Sequence, residues 1–185
     1  MTLGLALALL FTLAWVPLFL VRTQPLRDAF WLYTPSERLT VVGTPVAMSV
    51  HMTIACVMVS LANPVSPWRA ALAISVFAAG MALWFWARAM ISALRVRRLP
   101  DEPPLQLHRH GAFGIVRHPL YLSYLIAAAA PLVLVPRPVL GFTYALCAGA
   151  FAWRAVQEEH RLHTQVGPAY AAYCRQVKRL LPLVW

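Results

Sequence analysis

Residues 117–158 read RHPLYLSYLIAAAAPLVLVPRPVLGFTYALCAGAFAWRAVQE. Two apolar runs of 15 residues, Tyr121 to Val135 and Val139 to Trp153, are separated by Pro136-Arg137-Pro138. So short a connection predicts a hairpin of two antiparallel helices. The first helix of such a hairpin starts at the end where the second one finishes, and polar residues flank both of these positions. The stretch therefore predicts one polar site at one end of an apolar hairpin.

Five side chains are predicted to meet at this end, namely Arg117, His118, Tyr121, Arg154 and Glu158. Arg154 and Glu158 are four residues apart, so a helix places them on one face. Taken alone, that pair is typical of a structural ion pair at a membrane interface. Because a histidine, a second arginine and a tyrosine converge on it, a functional site is the alternative interpretation.

The composition of the whole chain is that of a membrane protein. Of the 185 residues, 61% are apolar and 12% are charged, whereas a soluble domain has roughly 25% charged residues. The formal net charge is +10. In so apolar a chain, basic residues are expected to mark the loops that flank membrane helices rather than to bind nucleic acid.

Three apolar runs precede the hairpin: Leu3 to Val21, Leu39 to Ala62 and Trp68 to Ile91. Each is close to the roughly 20 residues that cross a hydrocarbon core. The first has no basic segment before it, so we expect it to be retained as a membrane helix. Gly80 and many alanines in the third predict close helix packing. His51 in the second favours a hydrogen-bonded packing role, with contact to a substrate as the alternative.

The hairpin runs alone are about 22 Å long against a hydrocarbon core of roughly 30 Å, so we expect their polar flanks to extend them. Pro119 is expected to begin the fourth helix and Gln165 to end the fifth. Pro168 to Leu181 is predicted to form an interfacial amphipathic helix. Its apolar face comprises Tyr170, Tyr173, Val177 and Leu181. The predicted fold is an all-α integral membrane protein with about five transmembrane helices.

The basic residues also predict an orientation. With five spans, 13 Lys and Arg residues fall on one side of the membrane and two on the other. The positive-inside rule then places the N-terminus outside and the C-terminus in the cytoplasm, as expected for a bacterial inner membrane. Residues 92–107 are predicted to form an aqueous loop on the cytoplasmic side.

Metal and nucleotide motifs are not indicated. His108, His110 and His118 have no acidic residue among them, and their spacing matches no metal motif, so we expect no metal. Gly111 and Gly114 do not form the glycine-rich dinucleotide fingerprint. The three cysteines share no short spacing, which argues against a disulfide framework or a zinc site.

A combination of short motifs resembles the C-terminal core of isoprenylcysteine carboxyl methyltransferases and related membrane phospholipid methyltransferases. The similarity covers roughly Leu105 to Pro182. The matching elements are Gly111 to Tyr121, Arg154, Glu158-Glu159, Gly167 to Tyr173 and Leu181-Pro182. Family members usually have Tyr in place of Phe113, Gly in place of Ser123, and His-x-Leu-Val in place of Leu105-Gln-Leu-His108.

The resemblance implies an S-adenosylmethionine-dependent methyltransferase in a single membrane domain, with a three-helix embedded part at 1–91 and a cofactor-binding and catalytic part at 92–185. A lipophilic or lipidated substrate would enter from the lipid bilayer, and the acceptor would be a prenylcysteine-like carboxylate or a lipid amine. Arg154 and Glu158 would be catalytic, and Arg154 and His51 would contact substrate. The implied cofactor contacts are Leu105, Gln106, Leu107, His108, Phe113, Arg117, His118, Pro119, Leu120, Tyr121, Glu158 and Glu159.

Two other functions stay open on the sequence. Membrane sterol reductases have a loosely similar C-terminal architecture and bind NADPH, although they are much longer. A non-enzymatic membrane protein would use the polar flanks only to anchor the hairpin.

Overall fold

The computed structural model describes residue 6 and residues 34–62, 64–97, 109–182 and 185, with side chains of 92–97 excepted. These residues form six helices: α1 (Pro35–Leu61), α2 (Pro67–Arg97), α3 (Ala112–Ile115), α4 (Pro119–Leu134), α5 (Pro138–Val166) and α6 (Pro168–Gln176). The first predicted run, Leu3 to Val21, lies outside the described residues. So do the predicted cofactor contacts Leu105, Gln106, Leu107 and His108.

Three of the described helices are long and apolar enough to cross a membrane: Pro35–Leu61, Pro67–Ile91 and Pro138–Val166. The helix α4 is a shorter apolar helix. Large apolar side chains also point outward, among them Leu39, Val42 and Phe142, which are at least half exposed. A face of this kind is stable in lipid and unfavourable in water. The predicted all-α integral membrane fold is confirmed.

Helix boundaries follow local sequence signals. The helices α4, α5 and α6 each begin with a proline, whose missing N–H costs nothing in the first turn. In α1 the cap is a capping box, in which Thr34 and Glu37 bond each other's backbone N–H. The predicted extension of the fifth helix beyond the apolar run is confirmed, since α5 ends at Val166.

Two predicted boundaries are wrong. The chain was expected to leave its third helix at Ser92, but α2 continues to Arg97, because neither Gly nor Pro occurs between these residues to stop it. The last helix was expected to reach Leu181, but α6 ends at Gln176. The backbone beyond Gln176 pairs with residues 116–118 instead, in a short parallel bridge between Val116 and Lys178.

The bundle is built from two closely packed pairs, α2 with α4 and α1 with α5, and α4 also contacts α5 and α1. The tightest approach is at Gly80 of α2. A Cβ atom there would lie 2.7 Å from the backbone nitrogen of Ala127 in α4. The predicted packing role of this small-residue helix is thereby confirmed.

The apolar face of α6 packs on protein. Tyr170, Tyr173 and Val177 are buried and contact Leu162 and Val166 of α5. Leu181, predicted to share this face, is half exposed, because the chain after Gln176 no longer follows the helical period and buries Leu180 instead. The face predicted to lie on lipid therefore anchors α6 to the end of α5.

His51 is completely buried between α1, α4 and α5. Its Nδ1 lies 2.8 Å from the hydroxyl of Thr143, and its Nε2 lies 3.0 Å from the carbonyl oxygen of Ala128. Both ring nitrogens are therefore used within the bundle. This geometry favours the packing role of His51 over the substrate contact.

Candidate active site

The start of α4 and the polar end of α5 lie side by side, as the hairpin predicts. The hydroxyl of Tyr121 donates a 2.6 Å hydrogen bond to Oε2 of Glu158. The same oxygen of Tyr121 accepts a 2.8 Å bond from Nε of Arg154. Arg154, Tyr121 and Glu158 thus form one hydrogen-bonded series across the hairpin.

Glu159 is the centre of a second group of contacts. Its carboxylate accepts bonds from Arg117 Nε at 2.8 Å and Arg179 Nε at 3.0 Å, and His118 Nε2 lies 3.1 Å from Oε1. Glu159 is 4% exposed, so this carboxylate is held in the interior by cationic and N–H donors. Because both of its oxygens are occupied, its geometry favours positioning of neighbouring residues over the predicted contact with a cofactor.

Backbone bonds fix the residues before α4 to the end of the chain. The N–H of Arg117 donates to the carbonyl of Lys178 at 2.8 Å, and that of His118 donates to Arg179 at 3.0 Å. Arg117 Nη1 also donates to the carbonyls of Cys174 and Val177, which the end of α6 leaves without helical partners. Arg117 therefore helps to fix the backbone from which the His118 side chain extends.

His118 is positioned by a stacking contact on one face of its ring and by a polar contact at one ring nitrogen. Its ring stacks on Tyr121, with centroids 5.2 Å apart and planes 3° from parallel. Because Nε2 faces the carboxylate of Glu159, Nδ1 is turned toward Glu158, 3.8 Å from Oε2. This separation is too long for a hydrogen bond. The side chain is 6% exposed, so the ring is confined to this position.

One guanidinium nitrogen of Arg154 is left without a hydrogen-bond acceptor among the described residues. Its guanidinium carbon lies 5.8 Å from the centre of the Tyr121 ring, and Nε is bonded to the Tyr121 hydroxyl. Nη1 is buried and has no hydrogen-bond partner among the described residues. Buried polar atoms are almost always paired in proteins, so an unpaired guanidinium nitrogen indicates a place for an acceptor atom.

Phe113 is held by the last helix. The hydroxyl of Tyr173 donates a 2.6 Å bond to the carbonyl oxygen of Phe113 in α3. Burial raises the pKa of Tyr173 to about 12, so this hydroxyl keeps its proton at neutral pH and remains a donor. This contact fixes α3, and with it the segment leading to Arg117.

The structure thus unites six of the predicted site residues: Arg117, His118, Tyr121, Arg154, Glu158 and Glu159. Pro119 is buried at the first position of α4, and Leu120 packs against the core. Ser123, which stands where the family usually has Gly, is buried and donates to the Leu120 carbonyl at 2.7 Å.

Sequence reasoning missed the contact of Arg179 with Glu159 and the bond from Tyr173 to the Phe113 carbonyl. Arg179 falls within the helix predicted from Pro168 to Leu181, outside its apolar face, but the helix ends before it at Gln176. Its position two residues before Leu181-Pro182, an element of the recognised motif, is the signal that could have singled it out.

Comparison with known proteins identifies the family. The isoprenylcysteine carboxyl methyltransferase (ICMT) family profile matches residues 70–164, which is about half of the chain. The chain belongs to the ICMT family. The matched region contains Arg117, His118, Tyr121, Arg154 and Glu158 and leaves α1 and α6 outside.

A curated relative is protein-S-isoprenylcysteine O-methyltransferase B from Arabidopsis thaliana. It is 30% identical to this ICMT-family chain over 98 residues, which are 52% of the chain and 48% of the relative. The chain thus spans about half the length of the curated relative it matches. No solved structure matches the chain.

Proposed function

We propose that this protein is an S-adenosylmethionine-dependent methyltransferase that methylates a lipophilic acceptor in the membrane. Membership of the ICMT family and the activity for which the plant relative is named support methyl transfer. The observation that carries the proposal is the series Arg154, Tyr121 and Glu158, which lies where the apolar hairpin meets its polar flanks. A lipophilic acceptor and a polar cofactor would meet at this place.

The residues present fit S-adenosylmethionine. This cofactor carries an ammonium group, ribose hydroxyls and a carboxylate, which need both acceptors and donors. The Glu158 side chain is 36% exposed and accepts from Tyr121 on Oε2, so its carboxylate has capacity for further N–H or O–H groups. His118, Tyr121 and Glu158 would hold the cofactor, with the predicted contacts at 105–108 completing the site.

S-adenosylmethionine supplies a methyl group that is already activated by the sulfonium charge. The protein then has to align the acceptor and exclude water, which can account for several kcal/mol of the barrier. Tyr121 fixes Arg154 and Glu158 relative to each other. The stacked ring of His118 and the framework around Glu159 keep Tyr121 in place.

The spare donor of Arg154 favours a carboxylate as the acceptor over a lipid amine. A guanidinium binds a carboxylate through parallel N–H bonds, whereas it repels an ammonium group. The acceptor class that fits best is therefore a prenylcysteine-type carboxylate with an apolar chain in the bilayer.

Calorimetry on the purified protein in detergent tests the cofactor assignment. S-adenosylmethionine is expected to bind, with Glu158→Gln weakening its affinity about tenfold through loss of an acceptor for charged or polar groups. Binding of NADPH in its place would favour a reductase, and binding of neither would favour a non-enzymatic protein.

We also infer that this site faces the cytoplasm of a bacterial cell, from the distribution of Lys and Arg. Reporter fusions at Pro136 and Trp185 test this inference. An external signal at Pro136 and a cytoplasmic one at Trp185 are expected, and the reverse pattern would contradict it.

A further inference from the structure

A cleft of about 70 Å³ lies between the start of α1 and the polar end of α5. It has space for about five water molecules, enough for a small charged end of a larger ligand. The charged and polar residues that line it are Glu37, Thr40, Arg154, Gln157, Glu158 and Arg161.

The cleft carries charges of both signs. Two carboxylates, Glu37 and Glu158, and two guanidinium groups, Arg154 and Arg161, face the same small volume. A simple anion would meet repulsion from the carboxylates, and an apolar group would leave four charges without solvent. The lining is complementary to a ligand end that combines an anionic group with a cationic one.

The carboxylate of Glu37 is fixed in position by hydrogen bonds from Thr34. Its Oε2 accepts from the backbone N–H of Thr34 at 2.8 Å and from the Thr34 hydroxyl at 2.9 Å. Among the described residues, both of these bonds end on Oε2, so the second oxygen of the carboxylate can accept from a ligand. The capping box thus holds the Glu37 carboxylate in the lining of the cleft, which lowers the entropic cost of a contact with a ligand.

Only one of the two walls of the cleft belongs to the region that matches the family. Arg154 and Glu158 lie within the region that matches the family, residues 70–164, whereas Glu37 and Thr40 lie before it. Next to Thr40 along α1, Leu39 and Val42 are at least half exposed and apolar. A lipophilic acceptor could therefore lie along α1 in the bilayer and place its polar end in the cleft.

We propose that Glu37 determines acceptor specificity by binding a cationic amine adjacent to the carboxylate that Arg154 holds. The preferred acceptor is then an S-prenylated amino acid with a free α-amine. This inference rests on the proposed methyl transfer, and it assigns to α1 a choice among acceptors that the family match does not describe.

The test compares two acceptors that differ only at this amine, S-farnesylcysteine and its N-acetyl derivative, in detergent micelles with S-adenosylmethionine. At pH 7 the free amine is largely protonated, and acetylation removes the charge. Wild-type protein is expected to favour the free amine. Glu37→Gln should lower kcat/KM for that acceptor roughly three- to tenfold and leave the N-acetyl acceptor unchanged.

A matched control separates this role from helix capping. Glutamine still serves the capping box, whereas Thr34→Ala removes the capping hydroxyl and keeps the backbone N–H that donates to Oε2 of Glu37, so the carboxylate stays in the cleft lining. Thr34→Ala is expected to lower thermal stability with an unchanged ratio between the two acceptors. A changed ratio in Thr34→Ala would mean that capping, not contact, sets specificity, and would overturn the inference.

The remaining outcomes are also distinct. If wild type methylates both acceptors and Glu37→Gln leaves their ratio unchanged, the specificity inference fails while the methyl transfer stands. Glu37→Gln could instead weaken S-adenosylmethionine binding and lower turnover of both acceptors by the same factor. In that case the cleft holds the amino-acid end of the cofactor and the inference is overturned. If the wild-type protein methylates neither acceptor, both the proposed function and the specificity inference fail.

Discussion

The hydroxyl of Tyr121 on α4 donates a 2.6 Å hydrogen bond to Oε2 of Glu158 on α5. This bond joins the two flanks of the hairpin, which are 37 residues apart in sequence. A short bond to a carboxylate is stronger than one between neutral groups. It therefore fixes the relative position of the residues that we assign to cofactor and acceptor.

Tyr121→Phe should reduce methyl transfer about tenfold, because Glu158 loses a donor and Arg154 loses its acceptor while the ring stacked on His118 remains. Initial rates in detergent measure the effect. Tyr124→Phe is the matched control on the same helix, since its hydroxyl accepts from Trp84 instead. An equal loss of rate in Tyr121→Phe and Tyr124→Phe would show that the bonds that join the Tyr121 hydroxyl to Arg154 and Glu158 have no specific role in methyl transfer.

The same substitution should affect stability at one of two adjacent glutamates and cofactor binding at the other. Glu159→Gln leaves Arg117 and Arg179 without a buried carboxylate, so it should destabilise the protein by about 3 to 5 kcal/mol. Glu158→Gln, at a side chain that is 36% exposed, should change stability little and weaken cofactor binding. Thermal unfolding in detergent compares them. A stable Glu159→Gln variant would contradict the positioning role.

Arg154→Lys should retain the fold and S-adenosylmethionine affinity while losing most of the methyl transfer. Lysine keeps the charge but lacks the planar fork, so it cannot bond Tyr121 and an acceptor carboxylate together. Calorimetry and turnover are measured on the same preparation. Turnover near the wild-type level would leave Arg154 with a structural role only, joined to Glu158 through the hydroxyl of Tyr121.

Gly80→Ala should destabilise the bundle by about 1 to 3 kcal/mol, because its methyl group would meet the backbone of α4. Gly141→Ala in α5 is the control, since an added Cβ atom there meets nothing within 4 Å. That variant should be neutral or slightly stabilising, as alanine favours helix over glycine. A neutral Gly80→Ala would contradict the close packing of α2 on α4.

Local sequence was enough to predict the hairpin. The apolar runs, the three-residue connection and the helix-starting prolines are properties of neighbouring residues, and they place Tyr121 beside Glu158. The role of Glu159 could not be predicted in this way. It depends on Arg179, twenty residues later, and on a backbone bridge to Val116 that no periodicity indicates.

The end of α6 was predicted wrongly for a related reason. Residues through Leu181 have helical periodicity, but the carbonyls of Cys174 and Val177 gain charged bonds from Arg117 when the helix stops at Gln176. Tertiary contacts of this kind outweigh helix propensity, which differs by less than about 1 kcal/mol between most residues. The cleft at Glu37 was likewise hidden, since it joins helices that are far apart in sequence.

The most direct measurement of the central claim is transfer of a labelled methyl group from S-adenosylmethionine to S-farnesylcysteine by the purified protein in lipid nanodiscs. We expect a base-labile methyl ester from the wild type, and a rate reduced at least tenfold in Glu158→Gln at equal thermal stability. Label in an amine product would contradict the carboxylate assignment. No transfer by a folded protein that also fails to bind S-adenosylmethionine would contradict the function itself.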